Sequence, residues 1–162
     1  MAGTLTSYAG KRDPKFARKK IGIAVSAWNS EITDALLAGA QSTLLAAGIR
    51  KRNIVLYRVP GSFELPLAAK WLTEQKGIDG VVAIGCVIQG DTPHFDYICQ
   101  AVAHGLMKVN LSSGKPVAFG VLTTLNKKQA EDRAGGKLGN KGEEAALTVL
   151  EMLAVRVGKG RR

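Results

Sequence analysis

The chain has 162 residues, 46% of them hydrophobic, enough to bury one core and too few for two, so a single domain is expected. No apolar run reaches the roughly 18 residues of a membrane helix, and the N-terminus MAGTLTSYAGKRDPKF lacks the apolar stretch of a secretory leader, which predicts a cytoplasmic protein with no membrane partner. The formal charge of +10 is concentrated at the ends: residues 11–20 carry net +5, residues 156–162 carry +4, and residues 21–155 only +1. A nearly neutral body with basic ends reads as solvated tails and makes nucleic acid an unlikely partner. The expected organisation is a flexible basic arm over 1–19, one domain over 20–157 and a basic tail over 158–162.

In chain order, KIGIAV (20–25) predicts a first strand. A helix follows, capped by Asn29 or Ser30, with Ile32, Ala35, Leu36, Gly39, Ala40 and Thr43 at steps of three and four, and closes at Gly48. NIVLYRV (53–59) predicts a second strand ending at Pro60-Gly61. The helix from about Phe63 to Gln75 offers Leu65, Leu67, Ala68, Trp71 and Leu72 for burial. GVVAIGCVI (80–88) has the continuous apolar character of a strand buried on both faces. Thr92 is placed to cap the next helix, with Pro93 at its first position and the end near Ser112.

PVAFGVL (116–122) predicts a fourth strand and NKKQAEDR (126–133) a short helix. GGKLGNKG (135–142) reads as too glycine-rich for regular structure. A last helix from about Lys141 places Ala145, Ala146, Val149, Leu150 and Leu153 on one face. Strands alternating with helices over short connections predict an α/β three-layer sandwich, with a central parallel sheet of about four strands covered by helices on both faces. Ligands in such sheets bind beyond the carboxyl ends of the strands.

Those ends carry the candidate chemistry. Trp28-Asn29 offers a flat apolar face beside an amide and suits a planar heterocycle, although a tryptophan there also serves as packing. Ser62, Phe63 and Glu64 bring a hydroxyl, a ring and a carboxylate that suit a polyol, and Glu64 alternatively serves the helix dipole. Gly90-Asp91-Thr92-Pro93-His94 opens a helix whose free N–H groups can hold a phosphate, with a cation from Arg133 or Lys141 offsetting Asp91. His94 is the proton-transfer candidate; a packing or capping role is the competing reading.

Neither GxxxxGK[ST] nor a GxGxxG after the first strand is present, so no nucleotide cofactor is indicated. The spacing of His94 and His104, and of Cys86 and Cys99, suits no metal, and no cofactor or metal is expected. His104 reads as a helix-surface residue and both cysteines as buried apolar groups.

Trp28-Asn29, PGSFELP (60–66), GCVIQGDTPHFDY (85–97), PVAFGVLTT (116–124) and QAEDRAGGKLGNKGEEAA (129–146), in this order, resemble the lumazine synthase family over residues 20–155. The resemblance implies a flavodoxin-like fold and a cofactor-free riboflavin-pathway transferase. Its reaction joins 5-amino-6-ribitylaminouracil and 3,4-dihydroxy-2-butanone 4-phosphate to give 6,7-dimethyl-8-ribityllumazine, phosphate and water. By position, Trp28 matches the residue that stacks on the pyrimidinedione. Asn29, Ser62, Phe63 and Glu64 fall in the segments that hold this substrate and its ribityl chain, and Cys86, Val87 and Ile88 at the strand end that reads the ring edge. Asp91 and Thr92 match the phosphate-side turn, His94 the proton-transfer residue and Arg133 the phosphate-binding arginine.

Phe119, Arg133 and Lys141 match groups that a neighbouring subunit donates in the family, which implies a homo-oligomer with shared sites, a pentamer or, given the short 133–140 segment, an icosahedral shell. Association with riboflavin synthase is a further implied partner. Ala27 and Gln89 stand where the family often has arginine, and Trp28 replaces a more usual phenylalanine. An archaeal-type riboflavin synthase and a non-catalytic flavin or lumazine carrier are the alternatives. A carrier has no use for Arg133 beside His94.

Overall fold

The structure is a computed structural model that describes residues 12–158. Its main sheet has four parallel strands, β1 (Lys20–Ser26), β2 (Ile54–Val59), β3 (Ile78–Ile88) and β4 (Val117–Thr124), in the order β2-β1-β3-β4. Between them run α1 (Ser30–Ala46), α2 (Leu65–Glu74) and α3 (His94–Ser113). After β4 come α4 (Lys127–Asp132), a two-stranded antiparallel hairpin of β5 (Ala134–Gly136) and β6 (Gly139–Asn140), and α5 (Lys141–Gly158).

Alternation along each strand sends side chains to opposite faces. Ile21, Ile23, Val25, Val82, Ile84, Ala118 and Leu122 pack with Leu36, Leu44, Val149 and Leu150 of α1 and α5. Ala24, Val81, Ala83, Val117 and Val121 pack with Leu65, Leu72, Val102 and Leu106 of α2 and α3. The result is the expected three-layer α/β sandwich, and the predicted face of α5 is buried in full. Among the described residues, no helix is long and apolar enough to cross a membrane.

The packed body reaches further toward the N-terminus than residue 20. A short 3-10 turn, Pro14–Phe16, buries Phe16 to 1% exposure among α1 and β1 residues, Asp13 N–H donates to the Ala47 carbonyl, and Lys19 pairs with Asp79 at 2.9 Å. Residues 1–11 and 159–162, which hold the rest of the basic ends, lie outside the described residues.

Four local expectations are corrected. The glycine-rich segment forms the β5–β6 hairpin, with Gly135 at the register shift inside β5 and Gly139 just after the turn taking positive φ values that other residues rarely adopt. Leu67 and Trp71 of α2 are half exposed, since the face over β1 and β3 is already filled by Leu65, Ala68 and Leu72. Cys86 is buried but Cys99 only partly so. Thr92 does not cap α3: Pro93 precedes the helix in helical conformation without a side-chain cap, and His94 is its first residue. His104 lies on the helix surface as expected.

Candidate active site

The register of the sheet makes the pocket. β1 pairs with β3 as far as Val25 opposite Ile84, so Cys86, Val87 and Ile88 project past the end of β1 and present backbone groups on that side. On its other side β3 stays paired with β4 to Ile88, and Gln89 N–H donates to the Thr124 carbonyl. Asn29 closes the floor. It adopts φ 56°, in the left-handed region, and its side-chain amide donates to the Cys86 carbonyl at 3.1 Å rather than capping α1.

The opposite wall comes from the β2–α2 connection. Ala27 N–H donates to the Val59 carbonyl and Trp28 N–H to the Pro60 carbonyl, which fixes the end of β1 against this turn. Ser62–Glu64 forms a 3-10 turn, and the Glu64 carboxylate accepts from Gly61 N–H at 2.9 Å. Trp28 and Phe63 remain 69% and 58% exposed, unusual for large rings unless a partner is to cover them. Together Trp28, Asn29, Gly61–Glu64, Cys86–Ile88, His94 and Ile98 line a cavity of about 510 Å³, within the size range of small-molecule sites.

Three side chains of the lining bear on its chemistry. The Ser62 hydroxyl is buried and has no hydrogen-bond partner within the described chain, and a buried hydroxyl left unpaired costs about 1–3 kcal/mol. The oxygen is shielded from solvent and lies against Gly85 beside the likewise unpaired Ser26 hydroxyl, so it faces the end of the sheet and not the open cavity. His94 is exposed at the first position of α3, where the helix N-terminus favours anions nearby. The Cys86 thiol is pushed up to about 11 by burial, so it is an uncharged wall and no nucleophile.

Residues 18–156 match the 6,7-dimethyl-8-ribityllumazine synthase family. Relatives bearing that name are 57% identical over 150 residues in Cytophaga hutchinsonii, covering 93% of this chain and 94% of the relative, and 56% identical over 133 residues in Porphyromonas gingivalis, covering 82% and 83%. One from Levilactobacillus brevis is 50% identical over 136 residues, covering 84% and 87%. The chain belongs to the 6,7-dimethyl-8-ribityllumazine synthase family. It is therefore a transferase of riboflavin biosynthesis, with the flavodoxin-like fold of a lumazine synthase. Family membership also carries small-molecule substrates and a homo-oligomeric enzyme.

Not every candidate residue reaches the cavity. Trp28, Asn29, Ser62, Phe63, Glu64, Cys86, Val87, Ile88 and His94 meet there, whereas Asp91 and Thr92 are exposed on the β3–α3 connection beside it. Phe119 is 38% exposed in the middle of β4, the sheet's edge strand, and outside the lining. Arg133 and Lys141 flank the hairpin that Asn140 ties to the Ala35 carbonyl of α1, on the other face of the sheet from α3. Ile98 is a lining residue that the sequence reading missed; its signal was the four-residue step from His94, which puts both on one side of α3.

Proposed function

We propose that the cavity binds the ribitylaminouracil, with its ring on the indole of Trp28 and against the end of β3, and its ribityl chain on Ser62, Phe63 and Glu64. The exposed rings of Trp28 and Phe63 on the lining of this cavity support the reading most directly. Asn29 holds the wall, Asp91 and Thr92 form the phosphate-side turn at the start of α3, and His94 carries protons. Amine attack on the ketone, loss of water to an imine, phosphate elimination, ring closure and a second dehydration each move protons. Imidazole does so in both directions near neutral pH. Holding two substrates face to face contributes as well, about 7–11 kcal/mol of barrier in well-oriented cases.

In the same reading Phe119, Arg133 and Lys141 complete the cavity of an adjacent subunit, since within one chain they lie away from it. The edge of β4 supports the required contact. Met107 and Leu111 of α3 and Met152 and Val155 of α5, each 51–78% exposed, line a groove with Val117 and Ala118 of β4, and Phe119 follows on the same strand, an apolar surface of the kind that another copy covers. We read the particle as an icosahedral shell built from pentamers, on the shortness of the segment from Arg133 to Asn140, and place it in the cytoplasm, where association with riboflavin synthase belongs to the same reading.

The test is direct. Purified protein mixed with the aminouracil and the butanone phosphate generates lumazine fluorescence, and His94→Ala lowers turnover by ~10²–10⁴-fold with an intact fold. Unchanged turnover removes His94 from the chemistry. Light scattering that finds a pentamer-sized particle at every concentration rejects the shell.

A further inference from the structure

The two cations assigned to phosphate already hold an anion of their own. Arg133 Nη2 lies 2.9 Å from Glu144 Oε1 and donates to Oε2 at 3.1 Å, Lys141 Nζ donates to the same Oε2 at 3.1 Å, and Arg133 Nη1 donates to the Leu138 carbonyl at 2.7 Å. Both terminal nitrogens of the guanidinium are engaged within the chain. This is more than compensation of a helix dipole. Glu143, the other acid in the first turn of α5, is exposed, whereas the Glu144 side chain is 25% exposed between side chains of 18% and 30%.

The geometry is that of a filled oxyanion site. A carboxylate that places both oxygens on Arg133 Nη2 and shares one of them with the Lys141 ammonium presents two oxygens where a phosphate would present two of its own. The hairpin between the cations is held in place independently of Glu144: Lys141 N–H donates to the Arg133 carbonyl at 2.9 Å, Leu138 N–H to the Asp132 carbonyl at 2.8 Å, and Asn140 accepts from Gly142 N–H while donating to α1. The carboxylate can therefore leave the cations without the loop losing its frame.

We propose that Glu144 is a built-in competitor of phosphate: it occupies the Arg133–Lys141 anion site between turnovers, yields it to the phosphate of the four-carbon substrate, and returns to expel the phosphate product. The proposal rests on reading Arg133 as a phosphate ligand. A dianion released by the reaction has to leave a site with two cations, and a tethered carboxylate lowers its residence without altering affinity for the uncharged aminouracil ring. Glu144 is thus a positioning residue that acts through Arg133 and Lys141.

The test uses the full-length assembled enzyme, with inorganic phosphate as competitor of the butanone phosphate in the lumazine assay. Glu144→Gln keeps the size and removes the charge. Its inhibition constant for phosphate falls on the order of tenfold, the lower end of what one neighbouring charge does to an ionised group, while KM for the aminouracil stays at the wild-type value. Glu144→Asp, whose shorter side chain cannot bridge both cations, also binds phosphate more tightly than wild type and serves if the glutamine variant fails to fold.

Phosphate inhibition that is unchanged or weaker in these variants overturns the proposal, weaker inhibition meaning that Glu144 only pre-orients the arginine. Arg133→Ala separates the two levels. If it abolishes phosphate inhibition while Glu144→Gln behaves as wild type, only the competitor role falls. If Arg133→Ala inhibits like wild type, the phosphate assignment fails and the proposal with it.

Discussion

The side-chain amide of Asn29 donates to the Cys86 carbonyl at 3.1 Å, joining the residue that precedes α1 to the part of β3 that no longer has β1 beside it. One contact thereby fixes the distance between the aromatic wall at Trp28 and the strand end at Cys86–Ile88. Asn29 pairs this with a left-handed backbone, a conformation that asparagine tolerates and alanine does not.

Asn29→Ala accordingly loses both the tether and the backbone preference. The expected cost is about 1–3 kcal/mol, read as a lower urea midpoint, together with a higher KM for the aminouracil. Asn29→Gly restores the backbone but not the amide, so it recovers part of the stability and none of the KM. Equal KM values in both variants and wild type would show that the tether does not shape the cavity.

In the proposed reading Trp28 stacks on the substrate ring through a face that phenylalanine also possesses. Trp28→Phe is expected to be mild, and Trp28→Ala to weaken aminouracil binding by about tenfold or more, as the loss of a large aromatic contact implies. On this reading product binding is expected to quench tryptophan fluorescence in the wild type. Trp71 is the other emitter, half exposed on α2. The quench therefore disappears in Trp28→Phe, and a quench that persists places the ring elsewhere.

Cys86 offers a test by reagent. Burial holds its thiol near 11, so at pH 8 roughly one molecule in a thousand carries the thiolate. Iodoacetamide at that pH should label it slowly, with rates rising as pH rises and falling when product fills the cavity. Rapid stoichiometric labelling at pH 8, located at Cys86 by mass spectrometry, contradicts a closed wall.

The layer order and most elements were legible in the sequence because they follow from period: the apolar run ending at Ile88, the helical steps from Ile32 and the buried stripe of α5 each admit one face for the core. Periodicity failed where glycine φ values rule. Residues 134–140 look structureless as a string, yet with Gly135 and Gly139 at positive φ they form a hairpin bracketed by Arg133 and Lys141. The strand-end residues were readable because a doubly covered parallel sheet leaves only its carboxyl ends for ligands. Ile98 and Glu144 were not, since each takes its meaning from a spatial neighbour, His94 in one case and Arg133 with Lys141 in the other. Trp71 was misjudged for the same reason: a large apolar residue on a helix says nothing of whether its face is already filled.

The central claim is that the cavity around His94 is completed by Arg133 from another copy, and complementation tests it most directly. His94→Ala and Arg133→Ala chains are co-expressed or refolded together in equal amounts and assayed for lumazine at substrate levels where neither parent turns over. With sites shared across an interface, about a quarter of the contacts pair an intact His94 with an intact Arg133, and the mixture recovers about that fraction of wild-type activity. If the site is complete within one chain, the mixed oligomers show no more than the average of the two parents, and that result contradicts the account.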